Sequence, residues 1–435
     1  MKSNRKSQEP MSVTGKSIIV VGAGMVGVST ALELSKRGAK VTLLDKSEPG
    51  RETSYGNAGV LARSSLMPIN NPTLLSQLPG LIGNRGAGLR YDPWFLAANL
   101  KWAVRFMLSS RPSVFRKTTQ ALDSLIRLSI ERHLQLLDQT GMRGHLSDQG
   151  WVFLYREQQS FERTALLRQT LAAHEVPVSH LRPQEISELE PALMPIFKHG
   201  LWIKGSYSVN DPGAIVTGYA RRFAETGGVF VQSGVERISE NDDGTEARLS
   251  SGETLRADKL IVSLGPWSRN FLKQSGYDVT MAYERGYHMH FSGNSRSDRK
   301  RLTRPVYDTG GGYVLAPMTQ GLRLTTGVEL ADCDAPKSDR QLKQAEKAAR
   351  EAIFLGEPVQ DESWLGRRPT FPDSRPAIGL APSSRNIYFA FGHQHIGFAT
   401  GPGTALVLAD LMEGKTPAID AAPFNPERFI TRRAS

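Results

Sequence analysis

The chain has 435 residues, 39% of them hydrophobic and 22% charged, which is enough for two domains with substantial cores. A formal net charge of +11 bears on partners rather than on fold: it suits an acidic membrane surface or diffuse surface charge, and no basic stripe interleaved with aromatics points to nucleic acid. The single cysteine, Cys333, excludes an internal disulfide and a cysteine zinc site. It points to a reducing, cytoplasmic setting, with peripheral contact on the inner face of the cell membrane as the alternative. No histidines show H-E-x-x-H spacing, so no metal is expected, and no run of about 18 apolar residues would span a membrane.

Residues 1–16 are polar and basic and read as a disordered tail. The next residues read as strand, glycine turn and helix. Ile18, Ile19, Val20 and Val21 form the continuous apolar run that a doubly covered parallel strand requires. Gly22, Gly24 and Gly27, with Ala23, Met25 and Val26 between them, make G-x-G-x-x-G at the strand-to-helix junction. Gly22 permits the tight turn, Gly24 lets a pyrophosphate approach the backbone, and Gly27 lets the helix pack on the strand. A second apolar strand ends at Asp45, about twenty residues on, where an acidic side chain meets ribose hydroxyls; Lys46 follows it. This pattern indicates a dinucleotide without choosing between nicotinamide and flavin.

Residues 49–60 are small, polar and glycine-rich, a loop whose Thr53 and Ser54 hydroxyls and backbone amides suit phosphate. Residues 93–108 read as one amphipathic helix. Its use is core packing or, given Lys101, Arg105, Arg111 and Arg116, a membrane-facing patch. A 3.6-residue period predicts a helix over 115–139, followed by a strand at 150–155 and a helix over 161–174. Asp211 and Pro212 open a helix that Gly227 and Gly228 stop. Strands at 229–232 and 235–238 precede a buried strand that ends at Gly265. Alternating strands fill 281–330, and a helix covers 337–354. A last buried strand at 386–392 leads through a Gly/His loop to a helix over 402–412. The α/β segments lie at both ends and in the middle, so a dinucleotide domain is interrupted twice by a second domain.

Four motifs in this order resemble the flavin-dependent amine oxidoreductases of the D-amino acid oxidase superfamily, most of all the bacterial D-amino acid dehydrogenases. They are the turn from Gly22 to Gly27, Thr53-Ser-Tyr-Gly-Asn-Ala-Gly59, Gly366-Arg-Arg-Pro-Thr-Phe-Pro-Asp-Ser-Arg-Pro-Ala-Ile-Gly379, and the loop from Phe391 to Gly403. The resemblance covers nearly the whole chain after about Ser17. It implies a fold that is α/β plus α+β, with a Rossmann-like FAD-binding domain (17–92, 208–278, 362–435) interrupted by a mixed β-sheet and helical substrate domain (93–207, 279–361). It also implies FAD, and non-covalent FAD, because Cys333 is not in the motif that carries a covalent flavin.

On the same resemblance, Asn57, Ala58, Gly59 and Val60 run beside phosphates and flavin, and Val235 meets adenine. Gly265, His393, Ile396, Gly397, Phe398 and Thr400 serve the flavin end, where backbone donors stabilise negative charge on the reduced ring. Arg368 is the expected carboxylate anchor, since a guanidinium grips a carboxylate through two donors. Arg285, Tyr287, His288 and Tyr313 are further substrate-site candidates. Tyr287 and His288 are adjacent in a strand, so one of the two points inward. Met318 stands where amino-acid-binding relatives often carry an Arg. The implied reaction is oxidative deamination of a D-amino acid, D-proline or D-hydroxyproline included. Hydride passes from Cα to flavin N5, and the imine hydrolyses to a 2-oxo acid and ammonia. Electrons then go to an acceptor, a membrane quinone being one option. The rivals are a glycine- or sarcosine-type amine oxidase, a 2-hydroxy-acid or glycerol-phosphate dehydrogenase, and a flavin-binding protein without turnover.

Overall fold

Strand Ser17–Val21 lies between two parallel neighbours, Lys40–Asp45 and Lys259–Val262, which is why its apolar run is continuous. Val229–Gln232 and Ile387–Phe391 extend the sheet in parallel at either side, and Ala377–Leu380 closes it antiparallel. The computed structural model describes residues 12–74, 88–292 and 301–433. Alternate residues serve two cores. Ile18, Val20, Leu43 and Ile261 pack with helices Met25–Lys36, Pro212–Glu225 and Gly397–Met412. Ile19, Val21, Leu44 and Val262 pack toward the antiparallel meander Val235–Asn241, Gly244–Leu249 and Thr254–Ala257.

The second sheet has ten strands among the described residues. At its centre Ala282–Phe291 is buried along its whole length, flanked by Trp364–Thr370 and Gly321–Thr326. Tyr313–Met318, Val306–Asp308, Trp151–Tyr155 and His199–Ile203 follow in order. Helix Arg340–Ala352 packs Leu342, Ala345 and Ala349 into the same core as Tyr287 and Tyr313.

Several boundaries differ from the sequence reading. Of the expected tail, residues 1–11 lie outside the described residues. Residues 12–16 form an ordered turn, with Val13 fully buried and the Gly15 amide bonded to the Gly38 carbonyl. The helix expected over 93–108 is two, Pro93–Ala98 and Leu100–Leu108. Asn99 breaks it by turning its amide side chain back onto the Phe95 carbonyl. That over 161–174 is likewise two, Gln158–Glu162 and Ala165–Ala173.

Strands Leu89–Tyr91 and Trp364–Thr370 pair into the large sheet, although the sequence grouped them with the dinucleotide segments. Helix Pro112–Gln139, grouped with the substrate segments, packs its Leu122, Leu125, Ile126 and Leu137 in the core of the dinucleotide layer. Hydrophobic period reveals an element and its apolar face, but not which sheet or helix that face meets.

Candidate active site

A cavity of about 1140 Å³ lies between the two sheets. One end of it is the glycine turn from Gly22 to Gly27. Gly22 has φ +108°, and a Cβ there would stand 2.5 Å from the Ser263 carbonyl oxygen; a Cβ on Gly27 would stand 1.7 Å from the Gly22 oxygen. Those two glycines are therefore required by backbone contact. Gly24 is different: the nearest atom to its missing Cβ is the Ser54 Oγ, 3.3 Å away, and it borders the cavity. It leaves the cradle that a phosphate needs.

The Ser54 hydroxyl accepts from the Met25 amide at 2.9 Å. One Asp45 oxygen accepts from the Ala23 amide at 2.7 Å, and the other from the Ser47 amide at 2.9 Å. Asp45 thus clamps the turn while lining the cavity, as do Met25, Val26 and Lys46. Ala23 and Gly27 lie behind this wall and shape it. Helix Met25–Lys36 has no cap from its own N-cap residue, Gly24, and only Ser54 takes its first amide, so its positive end borders the cavity.

Thr53, Ser54, Asn57, Ala58 and Val60 line the cavity's flank. The Asn57 side chain bridges the Ser54 carbonyl and the Gly59 amide, and the Thr53 hydroxyl donates to the Arg367 carbonyl. Gly59 itself is off the cavity; at φ +70° it lets the chain pass 2.2 Å from where its Cβ would meet the Val209 oxygen. Val235 and Gly265 border the cavity farther along, and His393, Ile396, Gly397 and Phe398 border it from the C-terminal loop. Thr400 lies inside the first turn of helix Gly397–Met412, its hydroxyl bonded to the Ile396 carbonyl. That helix begins five residues earlier than the sequence reading, with Pro402 inside it.

The other end is built by the pleat of the large sheet. Tyr307, Val314, Thr325, His288 and Trp364 stand directly opposite one another on adjacent strands, so they share one face. Tyr307, Val314, Thr325 and Trp364 line the cavity. Two residues along the strands Gly286 faces Gly366, and two further Glu284 faces Arg368. A Cβ on Gly286 would stand 2.5 Å from an Arg368 guanidinium nitrogen, and one on Gly366 2.4 Å from the Trp364 ring. This pair of glycines is what lets Arg368 and Trp364 lie flat across the sheet.

Arg368 lines the cavity and has no hydrogen-bond or ion-pair partner among the described residues. Burial lowers its pKa, and the Glu284 charge opposes that. Glu284 is buried: one oxygen accepts from the Thr370 hydroxyl at 2.8 Å, and the other has no partner. Burial raises its pKa against the effects of Thr370 and Arg368. His395 is exposed and lines the cavity; desolvation inside the cavity and then the Arg368 cation lower its pKa to about 4. Burial alone brings His393 to about 3, its Nε2 lying 2.9 Å from the Thr404 hydroxyl.

The other substrate-site candidates lie elsewhere. His288 shares the cavity face but sits behind Trp364, the rings stacked at 4.8 Å. Its Nδ1 donates to the Gly56 carbonyl, which can only accept, and its Nε2 is buried without a partner. Burial, then Arg323 and His290, push its pKa to about 2. Arg285, Tyr287 and Tyr313 occupy the opposite face and do not line the cavity. Arg285 donates to the Asp332, Ala335 and Pro336 carbonyls and to the Tyr287 hydroxyl, which bonds Glu329 at 2.8 Å. Tyr313 packs beside Asp308, itself paired with Arg156 at 2.8 Å.

Met318 ends the Tyr313 strand without lining the cavity. The tyrosine that does line it is Tyr307, which the sequence reading passed over. Period-2 alternation places Tyr307 and Tyr313 on opposite faces only once the register Tyr307↔Val314 is known.

These features fit a flavin dinucleotide: a cradle at Gly24, an acidic clamp at Asp45, and a cavity that joins both to the loop at His393. Similarity to known proteins agrees. The chain is 28% identical over 429 residues to the D-amino-acid oxidase of Bradyrhizobium diazoefficiens, covering 96% of this chain and 99% of that protein. It is 28% identical over 416 residues to D-amino acid dehydrogenase 2 of Mesorhizobium japonicum, covering 93% and 98%. In fold it is similar to glycine oxidase from Geobacillus kaustophilus, with a TM-score of 0.71 at 22% identity, covering 94% of this chain and 98% of that one. L-proline dehydrogenase from P. horikoshii gives a TM-score of 0.71 at 17% identity, covering 95% and 98%. The chain belongs to the DAO family of FAD dependent oxidoreductases, which it matches over residues 17–411.

Proposed function

We propose that this enzyme oxidises the Cα–N bond of D-amino acids, with Arg368 holding the substrate carboxylate. The observation that carries the reading is the unpaired Arg368 guanidinium, laid across the cavity wall beside Trp364 and on the same sheet face as Tyr307. A half-buried cation without a partner is costly, and a carboxylate offers it two acceptors in the geometry it prefers. The Tyr307 phenol, kept protonated by burial, supplies a second donor from the same face. His395 and His393 stay neutral, so neither adds a second cation near the substrate nitrogen. The same enclosure disfavours an ammonium, and the amine reacts in its neutral form.

Bound FAD supplies the acceptor for the Cα hydride. The chain's own contribution is to hold the carboxylate at one edge, exclude water with the aromatic wall, and so fix the Cα–H direction. The imine then hydrolyses to a 2-oxo acid and ammonia, or stays cyclic when the substrate is D-proline or D-hydroxyproline. Non-covalent flavin is supported by the position of Cys333: it is buried, burial raises its pKa to about 12, and it does not line the cavity.

The D-configuration rests on the naming of the curated relatives and is the part most open to test. Holoenzyme is mixed anaerobically with a panel of D- and L-amino acids, glycine and sarcosine, and bleaching of the flavin is followed. Bleaching by neutral D-amino acids is expected. Reduction by L-isomers alone, by glycine and sarcosine alone, or by none of the panel overturns the reading. Reoxidation of the bleached enzyme by oxygen against a quinone then assigns the acceptor.

A further inference from the structure

The two short helices Pro93–Ala98 and Leu100–Leu108 have an inner and an outer face. Phe95, Trp102 and Phe106 are buried in the core. On the outer side Trp94 is 84% exposed, Leu100 63%, Val104 49% and Leu108 45%. These are four of the nine large apolar side chains that are exposed among the described residues. Leu100, Val104 and Leu108 are spaced four apart, so they stand one above another as a ridge, and the exposed Trp94 lies on the preceding short helix, before the break at Asn99. Lys101 and Arg105 flank the ridge one position on from Leu100 and Val104, both exposed.

The sequence along this ridge is basic, with two carboxylates beside it, Asp92 at the Trp94 amide and Asp278 near Lys101. Between Asp92 and Asp123 the sequence holds Lys101, Arg105, Arg111, Arg116 and Lys117 and no Asp or Glu. Arg111, Arg116 and Lys117 are exposed and form no ion pair among the described residues. Lys101 reaches only the exposed Asp278, at 3.7 Å, and Arg105 lies 5.7 Å from the Phe429 ring centre. An exposed pair at that distance contributes little and is readily exchanged.

We propose that this ridge docks the enzyme peripherally on an anionic lipid bilayer, with Trp94, Leu100, Val104 and Leu108 entering the headgroup–acyl boundary and the basic residues resting on lipid phosphates. An apolar ridge with a tryptophan and a local excess of Lys and Arg is the pattern that partitions into such an interface. A second copy of this chain is the weaker fit, because a self-complementary interface would bring the basic residues of this segment toward their own copies. No described helix is long and apolar enough to cross a membrane, so the contact lies on the surface of the bilayer. Strand Leu89–Tyr91, whose Leu89 lines the cavity, runs directly into the ridge, so the docked face adjoins the cavity wall.

The test is independent of substrate identity. Holoenzyme is sedimented with phosphatidylcholine vesicles, with and without phosphatidylglycerol, at low and at high salt. The expected result is binding at least about tenfold stronger to the anionic vesicles, lost at high salt. A triple variant, Leu100→Ser with Val104→Ser and Leu108→Ser, is expected to lose that binding while retaining flavin and amino acid oxidation. Quenching of Trp94 by brominated acyl chains, read as the difference between wild type and Trp94→Phe, reports insertion even if the triple variant folds poorly. Equal binding to both vesicle types, undiminished binding of a folded triple variant, absence of that quenching, or a wild-type dimer that the triple variant converts to monomer overturns the proposal.

Discussion

Arg368 and Tyr307 illustrate how a residue's role follows from the face of a strand it occupies. Arg368→Met removes the charged donor from the cavity wall, a loss of about 3 kcal/mol, and should lower kcat/KM for D-amino acids roughly a hundredfold while flavin content is retained. Tyr307→Phe removes one neutral donor, about 1 kcal/mol, and should lower kcat/KM several-fold. Tyr313→Phe serves as the control: its ring lies on the far face beside Asp308, so the steady-state constants of that variant should match wild type. Arg285 is a substrate-site candidate like Arg368, yet its guanidinium is spent on three backbone carbonyls. Arg285→Met should therefore lower thermal stability without a matching rise in KM. Steady-state kinetics and a melting curve on the four variants separate these outcomes.

At the scale of an element, helix Gly397–Met412 carries Pro402 in its interior. Proline has no N–H, so the Phe398 carbonyl four residues earlier loses its helical donor. His133, on helix Pro112–Gln139, replaces it: its Nε2–H donates to that carbonyl at 2.8 Å, and its Nδ1 lies 3.0 Å from the Tyr219 hydroxyl. The helices can come this close because Gly403 is bare, its amide donating to the Ser129 hydroxyl at 2.9 Å.

Burial holds His133 neutral, with a pKa of about 4 against the ordinary 6.5. Between those values the unfolded chain binds a proton that the folded one refuses. This share of stability is whole above pH 6.5 and declines as pH falls to about 4, by about 3 kcal/mol in all. His133→Leu should flatten that acid slope in holoprotein melting curves while costing about 1–3 kcal/mol at neutral pH, because the Phe398 carbonyl is left unpaired. Pro402→Ala restores an N–H for that carbonyl. It should recover about 1 kcal/mol in the His133→Leu background and not in wild type, where the carbonyl already has its donor.

For the whole molecule, the cavity is walled by both sheets, and a ligand that fills it ties together segments far apart in sequence. Gly24, Val235, Trp364 and His393 all border it. A ligand bound by the folded state alone stabilises it by mass action, about 2.7 kcal/mol when free FAD is a hundredfold above its Kd. Flavin-stripped protein should melt lower than holoprotein, and its Tm should rise steadily with added FAD. Differential scanning calorimetry across an FAD series checks this, and a Tm indifferent to FAD would count against flavin at this cavity.

Local chemistry carried much of this in the sequence itself. The apolar run at Ile18 to Val21, the three glycines and Asp45 are neighbours in the chain, and strand, turn and helix signals act over a few residues. The dinucleotide turn and the family were legible for that reason. So was the opposition of Tyr287 and His288, since alternation needs no partner strand. What the sequence left open was everything set by register and packing between distant segments. The face-to-face row of Tyr307, Val314, Thr325, His288 and Trp364 joins five strands whose order in the chain differs from their order in the sheet. The early start of helix Gly397–Met412, past its own proline, depends on a histidine 265 residues away. The sequence by itself determined the glycine turn at Gly22 to Gly27 and its junction of strand and helix, because that is a matter of backbone within one turn. Only the tertiary structure decided which arginine and which tyrosine face the cavity, because a side chain's face is defined by the strand beside it.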